Sequence, residues 1–140
     1  MADPKLNEQI GYLIARANRV LEEDLARRLQ PGGIAVEQFR VIKTLEQDGA
    51  LSMGELAEKV LVEPATLTKI IDRMTAESLV FRLPDDKDRR KVKVSLAPAG
   101  VALSEKLFNV ADAHEEHIAQ ILPTNQLDEM KRILSELKLR

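Results

Sequence analysis

Residues 80–96 switch this chain from one periodicity to another. On either side of them apolar residues recur every three or four positions. Within them Val80-Phe81-Arg82-Leu83 reads as one strand, and Val92, Val94 and Leu96 alternate with polar residues as a second. The stretch between, in LPDDKDRRKVKV, concentrates charge at what must be the tip of a β-hairpin. By itself such a tip also fits a solvated loop. Its neighbours narrow the choice.

Ser52-Met53-Gly54-Glu55 has the spacing of a capping box, in which the serine accepts from the amide three residues on and the glutamate reaches back. It opens a short helix through Leu56, Ala57 and Val60. Pro64 opens another, whose Leu67, Ile70, Ile71 and Met74 form one stripe. Short helix, turn, second helix is the helix-turn-helix pattern, although any αα-hairpin shares that spacing. A hairpin directly after it gives the winged-helix arrangement.

Around this unit lie helices longer than it needs. Asp3-Pro4 supplies a helix opening, and Leu6, Ile10, Leu13, Ile14, Ala17, Leu21, Leu25 and Leu29 continue until Pro31-Gly32-Gly33. About 25 helical residues would span about 37 Å. A second helix is expected over Val36 to Gln47, with Phe39, Ile42 and Leu45 inward. Ala97-Pro98-Ala99-Gly100 leads into one long helix to about Leu122, and Pro123-Thr124 opens a last one carrying Leu127, Met130, Leu134 and Leu137. The expected fold is mainly α with a small β-hairpin wing. Residues 34–97 form the winged helix-turn-helix, and residues 1–33 and 98–140 a helical dimerisation region.

With 140 residues, 44% of them hydrophobic, the chain can bury the core of one domain. A net charge of −2 conceals any local basic patch. The absence of cysteine excludes disulfides and thiolate zinc sites, which is consistent with a cytoplasmic protein. No apolar run approaches the roughly 20 residues that cross a bilayer, and MADPKLNEQIG lacks the features of a signal peptide.

The run LSMGELAEKVLVEPATLTKIIDRMTAESLVFRLPDDKDRRKVKVSLAPAG resembles the core of the MarR family of bacterial transcription regulators. The most specific elements are ATLTKIIDRM and, downstream, DKDRRKVKVSL followed by AG. The resemblance implies a dimeric, sequence-specific DNA-binding regulator, most often a repressor, and not an enzyme. Three positions depart from the family pattern: Ser78 replaces a usual glycine, Glu63 a usual Ser or Thr cap, and Ala97 a usual Thr cap.

Burying the stripe on the Pro64 helix leaves Ala65, Thr68, Lys69 and Asp72 outward, flanked by Thr66 and Arg73. Small and hydroxyl side chains suit close approach to a groove floor, and Lys69 and Arg73 suit guanine or phosphate. A plain solvated helix face is the alternative. On the hairpin Arg82, Lys87, Arg89, Arg90, Lys91 and Lys93 supply positive charge, while Asp85, Asp86 and Asp88 suit turns. The resemblance gives Asp88 and Arg90 DNA-proximal contacts and ion pairs within the wing, and one arginine is expected to pair with Asp72.

The surplus apolar helices are expected to join two chains, so that two heads about 34 Å apart read a pseudo-palindromic operator in double-stranded DNA. Relatives in the family often bind aromatic or phenolic anions, and Tyr12 and Arg16, one turn apart, are candidates for holding such an effector. His114 and His117 in HEEH have a spacing that two metal ligands can share, though a solvated face is the plainer reading and no metal or other cofactor is assigned. The competing readings are a winged-helix protein-interaction module without DNA binding and a metal-responsive sensor.

Overall fold

The computed structural model describes residues 3–139, so the outermost ends of the expected dimerisation region lie outside the described residues. The helices are α1 (Ile10–Leu29), α2 (Val36–Asp48), α3 (Met53–Val60), α4 (Pro64–Ala76), α5 (Pro98–Lys106), α6 (Val110–Ile121) and α7 (Thr124–Glu136). Three short strands complete the chain: β1 (Leu51–Ser52), β2 (Val80–Pro84) and β3 (Val92–Leu96), in the antiparallel order β1-β3-β2.

One core lies under the winged helix-turn-helix. Leu29, Val41, Ile42, Leu56, Leu67, Ile71, Met74 and Val94 are fully buried, each worth roughly 1.5–3 kcal/mol by transfer from water. The stripe on α4 is inward as its spacing predicts, with Ile70 packed at its margin. The capping box forms: Ser52 Oγ accepts from the Glu55 amide at 3.2 Å, and Glu55 accepts from the Ser52 amide at 3.3 Å. Those bonds hold the Glu55 carboxyl below its ordinary pKa.

Helices α3 and α4 both terminate in left-handed residues that are not glycine, Leu61 (φ 62°) and Ser78 (φ 61°). A side chain there costs on the order of 1 kcal/mol. At Ser78 the chain turns to lay Leu79 against the start of α5, where the Ala97 amide donates to the Leu79 carbonyl at 2.9 Å. Gly100 is needed at that contact, because a Cβ would stand 2.1 Å from the Leu79 oxygen.

Three expectations are corrected. The first helix starts at Ile10, not at Asp3-Pro4; a 3-10 turn over Leu6–Glu8 precedes it, and Gln9 is extended. Glu8 ties down the Lys5 amide there, while Leu6 and Ile10 are exposed and find no core in this chain. The long helix after Ala97 is two helices, broken at residues 107–109. Leu107 is buried against Gly32, and the break redirects α6 along α1. Strand β1, two residues long, was not expected and pairs Leu51 with Val94.

Candidate nucleic-acid interface

Strands β2 and β3 pair from Val80↔Leu96 to Pro84↔Val92, which carries the connecting loop out as a thin wing. Two aspartates build its tip. Asp85 accepts from the Lys87 amide at 2.8 Å, and Asp88 from the Arg90 amide at 3.0 Å. The Lys87 amide holds the Asp85 carboxyl below its ordinary pKa. With their lone pairs turned onto backbone amides, these acids shape the loop while the surrounding cations stay outward. Arg90 is 93% exposed and keeps only a long contact, 3.4 Å, to Asp88. Lys87, Arg89 and Lys91 are exposed.

Helix α4 presents Ala65, Thr66, Thr68, Lys69, Asp72 and Arg73 to solvent. Thr68 Oγ1 donates to the Pro64 carbonyl at 3.1 Å, so its methyl group and an oxygen lone pair are what it offers outward. Arg73 is drawn to Glu77 at 3.1 Å. Arg82, at the wing's base, turns to α4 and donates to Asp72 at 2.5 Å, which is the arginine–aspartate pair expected from the sequence. The wing and α4 thereby share one charged edge, on which Lys69, Lys87, Arg89 and Lys91 form no ion pair among the described residues and Arg90 keeps only its long contact to Asp88.

The remaining candidates fall elsewhere. Arg16 lies over the Tyr12 ring, 5.8 Å from its centroid, on the exposed N-terminal half of α1. The open crevice of about 430 Å³ between α1 and α2 is lined farther along by Ala15, Asn18, Arg19, Glu22 and Val36, not by that pair. His114 and His117 part company: His117 is exposed, whereas His114 Nδ1 is 2.7 Å from Asp24 Oδ2 on α1. Arg28 donates to the same oxygen at 2.9 Å. Hydrogen bonds from Arg28 and then His114 lower the Asp24 pKa to about 2. Sequence spacing could not show this cluster, since ninety residues separate its ends.

Comparison with known proteins gives the family of the chain that carries this edge. The MarR family model matches residues 34–92. The HTH-type transcriptional repressor NicR of Pseudomonas putida is 31% identical over 106 residues, covering 76% of this chain and 67% of NicR. The chain belongs to the MarR family. A mutant of MarR from Escherichia coli, solved in complex with operator DNA, superposes with a TM-score of 0.86 at 26% identity, over 96% of this chain and 98% of that one. BpsR of Bordetella bronchiseptica, whose DNA binding is regulated by 6-hydroxynicotinic acid, gives 0.83 at 27% identity over 92% and 98%. This MarR-family chain is thus a DNA-binding transcriptional regulator of winged helix-turn-helix architecture, and not an enzyme. None of its described helices is long and apolar enough to cross a membrane.

Proposed function

We propose that this MarR-family protein is a homodimeric repressor that reads a pseudo-palindromic operator with α4 in the major groove and the wing against the flanking backbone. The observation carrying the reading is the shared edge of α4 and wing, where Asp85 and Asp88 accept from loop amides, Asp72 accepts from Arg82, and Lys69, Lys87, Arg89, Arg90 and Lys91 are exposed. Ala65, Thr66, Thr68, Lys69 and Arg73 then approach base edges and the phosphates beside them. Lys87, Arg89, Arg90 and Lys91 act through phosphates or minor-groove potential, with Asp88 holding their loop.

Dimerisation is supported by α7, which buries no residue and leaves Met130, Ile133 and Leu134, with Leu137 just beyond its end, exposed. Repression is supported by the similarity to NicR, and control by a small aromatic anion by the similarity to BpsR. Such an anion acts by favouring a head separation that does not match successive major grooves.

The test is a salt-titrated binding assay on the DNA upstream of the protein's own gene and its neighbours. Tight, salt-dependent binding to one palindromic segment, well above that to unrelated duplex, is the expected result. Equal weak binding to every duplex would overturn the sequence-specific reading.

A further inference from the structure

We infer that Glu63 is a base-reading residue, selecting a cytosine in each half-site, an inference that rests on the regulator reading above. Glu63 is the residue immediately before α4, in an extended conformation (φ −67°, ψ 149°), and its backbone carbonyl takes the Leu67 amide at 3.0 Å. A residue in this position ordinarily turns a short oxygen-bearing side chain back onto the first-turn amides. The glutamate side chain makes no such bond. Its side chain is one methylene longer than that of aspartate, and the residue is exposed.

Among the described residues it forms no ion pair. Of the basic residues nearest in sequence on either side, Lys59 is paired with Asp48 at 2.9 Å, and Lys69, six residues on along α4, is exposed and makes no ion pair with Glu63 among the described residues. A free carboxylate at the end of the helix that enters a groove is unfavourable beside phosphates. It needs a compensating donor, and base edges supply one. In the major groove guanine offers two acceptors, thymine an acceptor and a methyl group, and adenine a donor flanked by the N7 acceptor. Cytosine alone presents its N4 amino group without a neighbouring acceptor. A carboxylate is therefore repelled by three bases to differing degrees and accepted by one.

Neighbouring side chains leave this reach open. Pro64 has no amide, Ala65 has only a methyl, and Thr68 has its hydroxyl proton directed at the Pro64 carbonyl. None of them competes for the cytosine amino group as an acceptor of comparable charge. Glu63 thus adds a penalty for non-operator DNA and a specific contact on the operator, separating the two in a way that Ser or Thr at this place does not.

The experiment is selection from a random-sequence duplex library by the full-length wild type and by Glu63→Gln, followed by affinity measurement on the selected duplexes. Since Glu63 makes no cap bond, Glu63→Gln should melt within a degree or so of the wild type. The wild type is expected to enrich cytosine at one symmetric position per half-site, and replacing that base should cost about tenfold in affinity. With Glu63→Gln the preference at that position should move toward adenine, whose N6 and N7 pair with an amide. If both proteins enrich the same base there, or Glu63→Gln tightens binding to operator and unrelated duplex by one common factor, the carboxylate is only a repulsive charge and the inference fails. A folded wild type that enriches no sequence at all would overturn the regulator reading and this inference with it.

Discussion

Arg82 on β2 and Asp72 on α4 meet at 2.5 Å, which ties the base of the wing to the helix beside it. Arg82 was expected among the DNA contacts, and its pairing with Asp72 offers a second role, that of a positioning residue whose cation is already matched. Two outcomes separate these roles. Asp72→Asn should weaken operator binding by about two- to fivefold, since an exposed pair is worth on the order of 0.2–1 kcal/mol. Had Arg82 been held back from phosphate by Asp72, the same substitution would tighten binding. Titration of wild type and Asp72→Asn on one duplex reads the sign directly.

The cations at the wing tip should act differently from the hydroxyl on α4. Arg90→Ala is expected to weaken binding to all duplexes and to flatten the salt dependence by about one unit of slope. Thr68→Ala should lower operator affinity by about 1 kcal/mol and leave unrelated duplex almost unchanged, if its methyl and oxygen face base edges as proposed. Affinities at several salt concentrations on both duplexes distinguish the two patterns. An Arg90→Ala protein with unchanged affinity and slope would return the tip to the status of a solvated loop.

How far the sequence carried depended on whether structure was locally encoded. The capping box at Ser52, the stripe from Leu67 to Met74 and the alternation from Val92 to Leu96 each state their geometry within a few residues, and all three formed. The break at residues 107–109 left no trace, because no Gly or Pro marks it and Leu103, Leu107 and Ala111 keep their spacing across it. It coincides with a tertiary contact, the packing of Leu107 on Gly32. Two residues of β1 carry no period to detect. At the candidate interface the residue types were legible and an arginine partner for Asp72 was expected, whereas which arginine it is, and the partners of Arg73 and His114, were decided by side-chain direction.

Acid should expose the role of the Asp24 cluster. With its pKa lowered from 3.8 to about 2 by Arg28 and His114, Asp24 contributes stability that is fully present above about pH 4. That contribution is lost as pH falls through the folded value near 2. Asp24→Asn should therefore be less stable than the wild type at pH 5 and converge with it toward pH 2. Urea unfolding at a series of pH values checks this. A stability difference that stays constant down to pH 2 would mean that Asp24 is no more than a packing group between α1 and α6.

Helix α7 cannot be explained by its own chain. It buries no residue, and Lys131 to Glu115 at 2.6 Å is its polar tie to α6. An apolar stripe on a helix so weakly held calls for a second copy. Sedimentation at micromolar concentration should give about twice the 15.7 kDa chain mass. Leu134→Glu should shift the protein toward monomer and abolish tight operator binding while the winged core, to which α7 contributes no buried residue, stays folded. A wild-type monomer that still bound the operator tightly would remove the two-groove model.

The last prediction concerns Arg16. Its guanidinium rests over the Tyr12 ring at 5.8 Å, a contact worth about 0.5–1 kcal/mol at an exposed site. A ring-bearing carboxylate can compete with that contact on both counts, stacking on Tyr12 and pairing with Arg16. Since α1 runs from this exposed end into the core at Leu25 and Leu29, a ligand that shifts it shifts the head as well. Coupling of about 1.4 kcal/mol is enough for a tenfold loss of DNA affinity. Aromatic carboxylates of the hydroxybenzoate and hydroxynicotinate kind should release operator from the wild type, with Arg16→Ala requiring about tenfold more ligand for the same release. Equal sensitivity in both proteins would take Arg16 out of the effector site and leave the crevice between α1 and α2, lined by Arg19 and Glu22, as the place to look.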